Sequence, residues 1–138
     1  MNQDSRISLS LLLLRLGVFL LMFMWTIDKF IQPQHATAVY EKFYFIEGLG
    51  AISSYLIGTV EVAILIGFLI GFQKRFTYGA VLLFHAVSTF SAFRQYLDPF
   101  TGPHLLFFAA WPTLAACFAL YYLRDLDTRW VLGHQQEV

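Results

Sequence analysis

The chain has 138 residues, of which 58 % are hydrophobic and only 13 % are charged. Soluble domains carry about 25 % charged residues, so a soluble protein of this length would leave too much apolar surface in water. The length allows a single domain over residues 1–138, and the net charge of zero gives no attraction to nucleic acid.

Four apolar runs are long enough to cross a lipid bilayer, whose hydrocarbon core of about 30 Å requires about 20 helical residues. The predicted spans are approximately residues 7–27, 51–72, 76–97 and 104–123. Ala36 and Ala38 resemble a signal-peptide cleavage site. However, the first run is longer than a signal h-region of about 7–15 residues, so we interpret it as a retained helix.

The connections between these runs differ in kind. Residues 73–75 form a tight basic turn, and residues 98–103 form a Pro/Gly loop. Within the longer first connection, residues 36–46 show apolar side chains at helical spacing, which predicts a short interfacial helix. Residues 133–138 are expected to form a flexible tail. The predicted fold is therefore an all-α membrane protein, a four-transmembrane-helix bundle with a short interfacial helix in the first, outer connection.

The distribution of Lys and Arg predicts the orientation, because cytoplasmic loops are enriched in positive charge. The basic residues on one side of the bundle are Arg6, Lys74, Arg75, Arg124 and Arg129. The other side has Lys29 and Lys42, with Arg94 as a third if its guanidinium reaches outward. Both termini of this multi-pass protein are therefore expected in the cytoplasm.

Charged residues inside the predicted spans are the strongest indication of a functional site. Each costs about 2.5–3.5 kcal/mol on insertion scales, so it should face the bundle interior and find a partner. Arg15 and Glu61 are expected at nearly the same depth, which predicts that they pair. This pair could belong to a binding site, or it could only fix the register of the two helices.

His85, Lys29 and Arg94 complete the set of candidate binding residues. His85 lies deep in the third predicted span, where it could carry a proton, donate to a ligand carbonyl or bond to a neighbouring helix. A haem ligand is disfavoured, because no other His lies deep in a span. Lys29 and Arg94 could extend to lipid head groups, or they could line a positively charged pocket at the outer surface.

The sequence gives little support for a dithiol, metal, haem or flavin site. Cys117 is the single cysteine, so a dithiol redox site within the chain is excluded. The four His show no spacing typical of metal ligands, and the chain carries no haem or flavin motif.

Several short motifs resemble the DoxX family of small membrane proteins. The matching stretches are Leu14-Arg15-Leu16-Gly17, Asp28-Lys29-Phe30, Gly58-Thr59-Val60-Glu61, and Gly71 with the turn Lys74-Arg75. The resemblance covers approximately residues 6–123 and implies a four-helix bundle in a bacterial cytoplasmic membrane. It also implies a kinship with membrane subunits of thiosulfate:quinone oxidoreductases, and with membrane anchors of oxidoreductase complexes. Arg15, Lys29 and Glu61 match the family motifs, whereas His85 does not.

Two functions remain open on this basis. The chain could be a subunit of a quinone-linked oxidoreductase that binds quinone between its helices, with Arg15, Glu61 and His85 around the head group and Lys29 and Arg94 at the entrance. A partner subunit would then carry the other redox centre, so the chain would not be a self-sufficient enzyme. Alternatively, it could be a non-catalytic accessory or anchor subunit that packs against a larger membrane complex. A transporter is a weaker third option, because four short spans offer little machinery for alternating access.

The predicted orientation can be tested with topology reporters. A reporter fused after Val138 should be active only in its cytoplasmic form, because positive charge is concentrated on the side of the Lys74-Arg75 turn. Periplasmic activity of the same fusion would contradict the orientation.

Overall fold

The structure, a computed structural model, describes residues 1–132, and this part of the chain is helical without any strand. The α-helices are α1 (Gln3–Ile31), α2 (Pro33–Tyr44), α3 (Ala51–Leu69), α4 (Lys74–Ser91), α5 (Phe93–Leu97) and α6 (Ala110–Tyr122). Two 3-10 helices, Gly102–Ala109 and Arg124–Leu126, lie on either side of α6. The predicted flexible tail, residues 133–138, lies outside the described residues.

Three helical stretches in residues 1–132 are long and apolar enough to cross a membrane. They are Gln3–Ile31, Ala51–Leu69 and Gly102–Tyr122. No more than 28 % of the most apolar window of each stretch is buried inside the protein, so most of this apolar surface faces outward. That exposure would be unfavourable in water and is favourable in lipid, which supports the prediction of an all-helical membrane protein.

Helix α1 is longer than the first predicted span and begins and ends at clear local signals. The side chain of Asn2 accepts a hydrogen bond from the backbone N–H of Ser5 at 2.9 Å, which caps the first turn. The helix ends at Ile31 because the residue before Pro33 disfavours the helical conformation. Pro33 then starts α2 at a position where its missing N–H costs nothing, and this helix confirms the helix predicted within the first connection.

The third predicted span, residues 76–97, is divided in the structure into α4 and α5, with the break at Ala92. Side chains near the break bond to backbone carbonyl groups. The Thr89 hydroxyl donates to the carbonyl of His85 at 2.7 Å, and the Tyr96 hydroxyl donates to the carbonyl of Thr89 at 2.8 Å. Such bonds compete with the helical pattern, which explains why one continuous helix was the wrong prediction here.

The interior is apolar in its middle layer. Its buried side chains come from α1, α3, α4 and α6 and are Leu11, Val18, Leu65, Phe68, Tyr78, Val81, Cys117 and Leu120. Cys117 is a free, buried thiol, as the apolar sequence around it predicts. Two groups of polar side chains lie along α1, one around Arg15 near the middle of the helix and the other around Thr26 and Lys29 near its C-terminal end.

The residues after α6 turn back and cover one end of the bundle. We call residues 124–132 the C-terminal segment. The backbone N–H of Leu132 donates to the carbonyl of Ile70 at 2.8 Å, and Val131 packs on Gly71. Gly71 has a φ of +67°, and a Cβ atom at this position would lie 2.5 Å from Val131 Cγ1. Only glycine therefore allows both this turn and the close approach of the segment.

Replacement of Gly71 by alanine should destabilise the protein through its positive φ and through a clash with Val131. The variant Gly48→Ala measures the effect of a positive φ alone. Gly48 also has a positive φ, +76°, but it has open space around its Cβ position. Gly48→Ala should therefore cost only the conformational penalty, about 1–2 kcal/mol. Gly71→Ala should cost a further ~1–3 kcal/mol from the clash with Val131, measured by unfolding titrations in mixed micelles. Equal losses would contradict the close contact.

Candidate functional site

The first polar group, which we call the Arg15 cluster, consists of Arg15, Tyr78 and Asp127. The side chains of Arg15 and Asp127 are both fully buried, and Arg15 Nη1 lies 3.1 Å from Asp127 Oδ2. The Tyr78 hydroxyl donates to the same oxygen at 2.6 Å and accepts from Arg15 Nη1 at 3.1 Å. A guanidinium, a carboxylate and a phenol therefore share one dry site.

Backbone groups of the C-terminal segment complete the surroundings of this guanidinium. Arg15 Nη2 donates to the carbonyl groups of Arg129 and Trp130. Lys74 Nζ donates to the carbonyl of Asp127 at 2.6 Å, which holds the segment from α4. Apart from Tyr78, every acceptor of Arg15 thus comes from the C-terminal segment.

The second polar group, which we call the Glu61 cluster, consists of Thr26, Lys29 and Glu61. Lys29 Nζ lies 3.0 Å from Glu61 Oε2, and the Thr26 hydroxyl donates to the same oxygen at 2.9 Å. The side chains of Lys29 and Glu61 are only 13 % and 20 % exposed. Gly58 allows this close approach of α1 and α3, because a Cβ at Gly58 would lie 2.8 Å from the ring of Phe30.

Tyr40 of α2 lies close enough to the Glu61 cluster to respond to its charge. Burial raises the pKa of the Tyr40 phenol to about 12, with further contributions from the negative charge of Glu61 and from Tyr44. The phenol therefore keeps its proton at neutral pH. It can therefore still donate a hydrogen bond.

The predicted pair of Arg15 and Glu61 is wrong. Arg15 pairs with Asp127, and Glu61 pairs with Lys29, which lies 14 residues after Arg15 and thus about 21 Å farther along α1. The prediction aligned the outer ends of the first two spans at equal depth. In the structure, Phe30 near the end of α1 packs on Gly58, so α3 extends about two turns beyond α1 and the register of the two helices is shifted.

His85 and Arg94 contact other parts of the bundle. His85 Nε2 lies 3.0 Å from the carbonyl oxygen of Ala110, and since a carbonyl can only accept, this nitrogen donates. Of the interpretations considered for His85, the structure shows the bond to a neighbouring helix. Arg94 is exposed, and its guanidinium carbon lies 5.3 Å from the ring centroid of Phe45.

Asp127, Tyr78 and Thr26 of these clusters, and the neighbouring Tyr40, were not singled out from the sequence. Asp127 follows the last predicted span in a charged stretch, and nothing distinguishes it from the exposed Asp125. Tyr78 could have been found, because residues 78, 81, 85 and 89 share one face of α4 and are all buried. Tyr40 could likewise have been found, since it lies one turn after the buried Ala36 on α2.

The two clusters differ in what they can do chemically. In the Arg15 cluster the charges neutralise one another without exposure, which suits a structural lock or a site for an anion. In the Glu61 cluster the hydrogen bond from Thr26 and the ion pair with Lys29 both go to Oε2, and the structure of residues 1–132 shows no bond to Oε1. This cluster therefore offers an acceptor oxygen, and Tyr40 offers a donor, within an apolar bundle.

No family model, curated protein or solved structure matches this chain.

A double-mutant cycle can test the observed pairing. Arg15→Met and Asp127→Asn should each lower the free energy of unfolding by about 3–5 kcal/mol, because each leaves a buried partner unmatched. The double change should cost less than the sum, with a coupling of about 0.5–3 kcal/mol in unfolding titrations. The control is the cycle of Arg15→Met with Glu61→Gln, whose losses should be additive. Coupling in the control cycle, with additivity in the first, would contradict the assignment.

Proposed function

We propose that the chain is an integral membrane subunit of a quinone-linked oxidoreductase in a bacterial cytoplasmic membrane, and that it binds the quinone head group at the Glu61 cluster. The carrying observation is the half-buried pair of Lys29 and Glu61, with Glu61 Oε1 open to a further donor. Such a pair in a span is costly unless it is used, and intramembrane ionisable groups commonly mark ligand or proton pathways.

The chemistry of this cluster matches that of a quinone head group. A quinone carbonyl requires a donor, and the protonated phenol of Tyr40 supplies one. A quinol hydroxyl requires an acceptor, and the Glu61 carboxylate supplies one. The apolar residues of α1 and α3 around the cluster suit an isoprenoid tail. Arg15, His85 and Arg94, which the sequence predicted as further quinone contacts, bond to partners outside this cluster, so the proposed head-group site does not include them.

The proposal includes four crossings of the membrane, with both termini in the cytoplasm and α4 as the fourth crossing helix. Arg15 contacts Tyr78 near the start of α4 and Asp127 after the end of α6, so these two ends lie at the same end of the bundle. Residues 98–103 connect the other ends of the two helices. This arrangement supports a path in which α4 runs the length of the bundle, although Lys74, Arg75 and His85 make it less apolar than the other crossing helices.

The sequence also supports a partner subunit that carries the second redox centre, since the chain has no flavin, haem or metal motif. A second candidate function is a non-catalytic accessory or anchor subunit. The contacts of Arg15 and His85 favour it, because both side chains are bonded within the chain and need no ligand. In that case the buried charges only fix the geometry of the helices.

Quinone binding distinguishes these two functions. Native mass spectrometry of the mildly solubilised protein should show bound quinone together with a partner subunit. A short-chain ubiquinone titrated into nanodiscs should bind Glu61→Gln and Tyr40→Phe about 5- to 150-fold more weakly than wild type, because each change removes a hydrogen bond to the head group. Tyr122→Phe is the matched control, since Tyr122 is 69 % exposed and remote from the cluster, and its affinity should not change. A constant stoichiometry with a partner and no quinone binding would favour the accessory function.

A further inference from the structure

We propose that Arg15 forms a binding site for a carboxylate anion, and that Asp127 of the C-terminal segment is its built-in occupant, which a free carboxylate can replace. This site lies about 21 Å along α1 from Lys29 and is independent of quinone binding at the Glu61 cluster. Its ligand class follows from the donors, the charges and the unused hydrogen-bonding groups around the guanidinium.

Two donors converge on a single carboxylate oxygen. Arg15 Nη1 lies 3.1 Å and the Tyr78 hydroxyl 2.6 Å from Asp127 Oδ2. Both donors are held by transmembrane or bundle helices, α1 and α4, whereas the acceptor belongs to a non-helical stretch. The two donors, Arg15 and Tyr78, are therefore held by helices, whereas the occupant, Asp127, lies outside any helix.

Asp127 uses only some of the hydrogen-bonding groups that are present at the site. Arg15 Nε and Asp127 Oδ1 are both buried, and neither has a hydrogen-bond partner in the structure of residues 1–132. Asp127 thus contacts the guanidinium through Nη1 alone and with one of its two oxygens, so the contact lacks the stronger bidentate geometry. The site therefore holds Asp127 through fewer hydrogen bonds than its buried donors and acceptors allow.

The charge balance favours a monoanion over a phosphate. The two charged side chains of the Arg15 cluster, Arg15 and Asp127, neutralise each other without exposure to solvent. A carboxylate in place of Asp127 keeps this balance, whereas a phosphate dianion would leave excess negative charge in a dry site.

The contacts that hold the C-terminal segment can be released without unwinding a helix. Arg129 donates to the hydroxyl groups of Ser5 at 2.8 Å and Ser8 at 3.0 Å, and Leu132 donates to the carbonyl of Ile70. Trp130 has a φ of +52°, a conformation that is strained for a bulky residue. The segment is therefore held by local bonds and carries backbone strain that release would relieve.

Chemical rescue tests the site. Asp127→Gly should lower the melting temperature in detergent, and acetate at about 100 mM should recover a large part of the loss by occupying the vacated position. Sodium chloride at equal ionic strength should give no recovery. Asp125→Gly is the matched control, because Asp125 is exposed in the same segment, and it should neither lose stability nor respond to acetate.

The double variant Arg15→Met/Asp127→Gly identifies the residue that binds acetate. It should show no recovery, because it lacks the guanidinium. The proposal is overturned if acetate fails to stabilise Asp127→Gly, or if it stabilises the double variant equally. If Asp127→Gly does not accumulate on its own, expression and purification with acetate throughout should yield folded protein, and failure under that condition also counts against the site.

Replacement of Asp127 in the wild-type chain is tested by limited proteolysis. Arg129 is bonded to α1 while the segment is closed. Acetate should therefore speed tryptic cleavage after Arg129 several-fold, and chloride at equal ionic strength should not. Because the tethered Asp127 competes at a high effective concentration, this effect should require more acetate than the rescue does. Cleavage that stays unchanged at saturating acetate would show that Asp127 cannot be replaced.

Discussion

The buried guanidinium of Arg15 is the constraint on which the rest of the bundle depends. A charge at this place in an apolar helix costs about 2.5–3.5 kcal/mol on insertion scales, and α1 offers it no partner of its own. Asp127 and Tyr78 neutralise and solvate it from outside the helix. The C-terminal segment must therefore return to the bundle, and its return brings the start of α4 and the end of α6 to the same end of α1.

The return of the C-terminal segment to Arg15 also explains the roles of Gly71 and of the cations around the segment. Gly71 makes room for Val131, and Arg129 and Lys74 hold the segment through hydroxyl and carbonyl groups. Most of the contacts that hold the segment are hydrogen bonds. The segment is thus positioned mainly by polar bonds, which are strong in a dry site and easily exchanged for other polar partners.

The two polar clusters along α1 have different roles. The Arg15 cluster neutralises its charges with the chain's own groups and fixes the fold, with only Arg15 Nε and Asp127 Oδ1 unbonded in residues 1–132. The Glu61 cluster has an open carboxylate oxygen and a neighbouring phenol donor, so it is the better place for a ligand. The apolar layer that contains Val18 and Leu65 lies between them and keeps their charges from interacting directly.

The sequence alone determined the helical class, the long apolar stretches and the helix within the first connection, because these follow from composition and from spacing along the chain. It also indicated that Arg15 and Glu61 are buried charges that require partners. It could not determine which partners they have. A shift of α3 along α1 changes every contact between them while leaving the sequence pattern the same, and Asp127 is distinguished from Asp125 only by the path of the folded chain. The pairing was therefore decided by the tertiary structure, through the packing of Phe30 on Gly58 and of Val131 on Gly71.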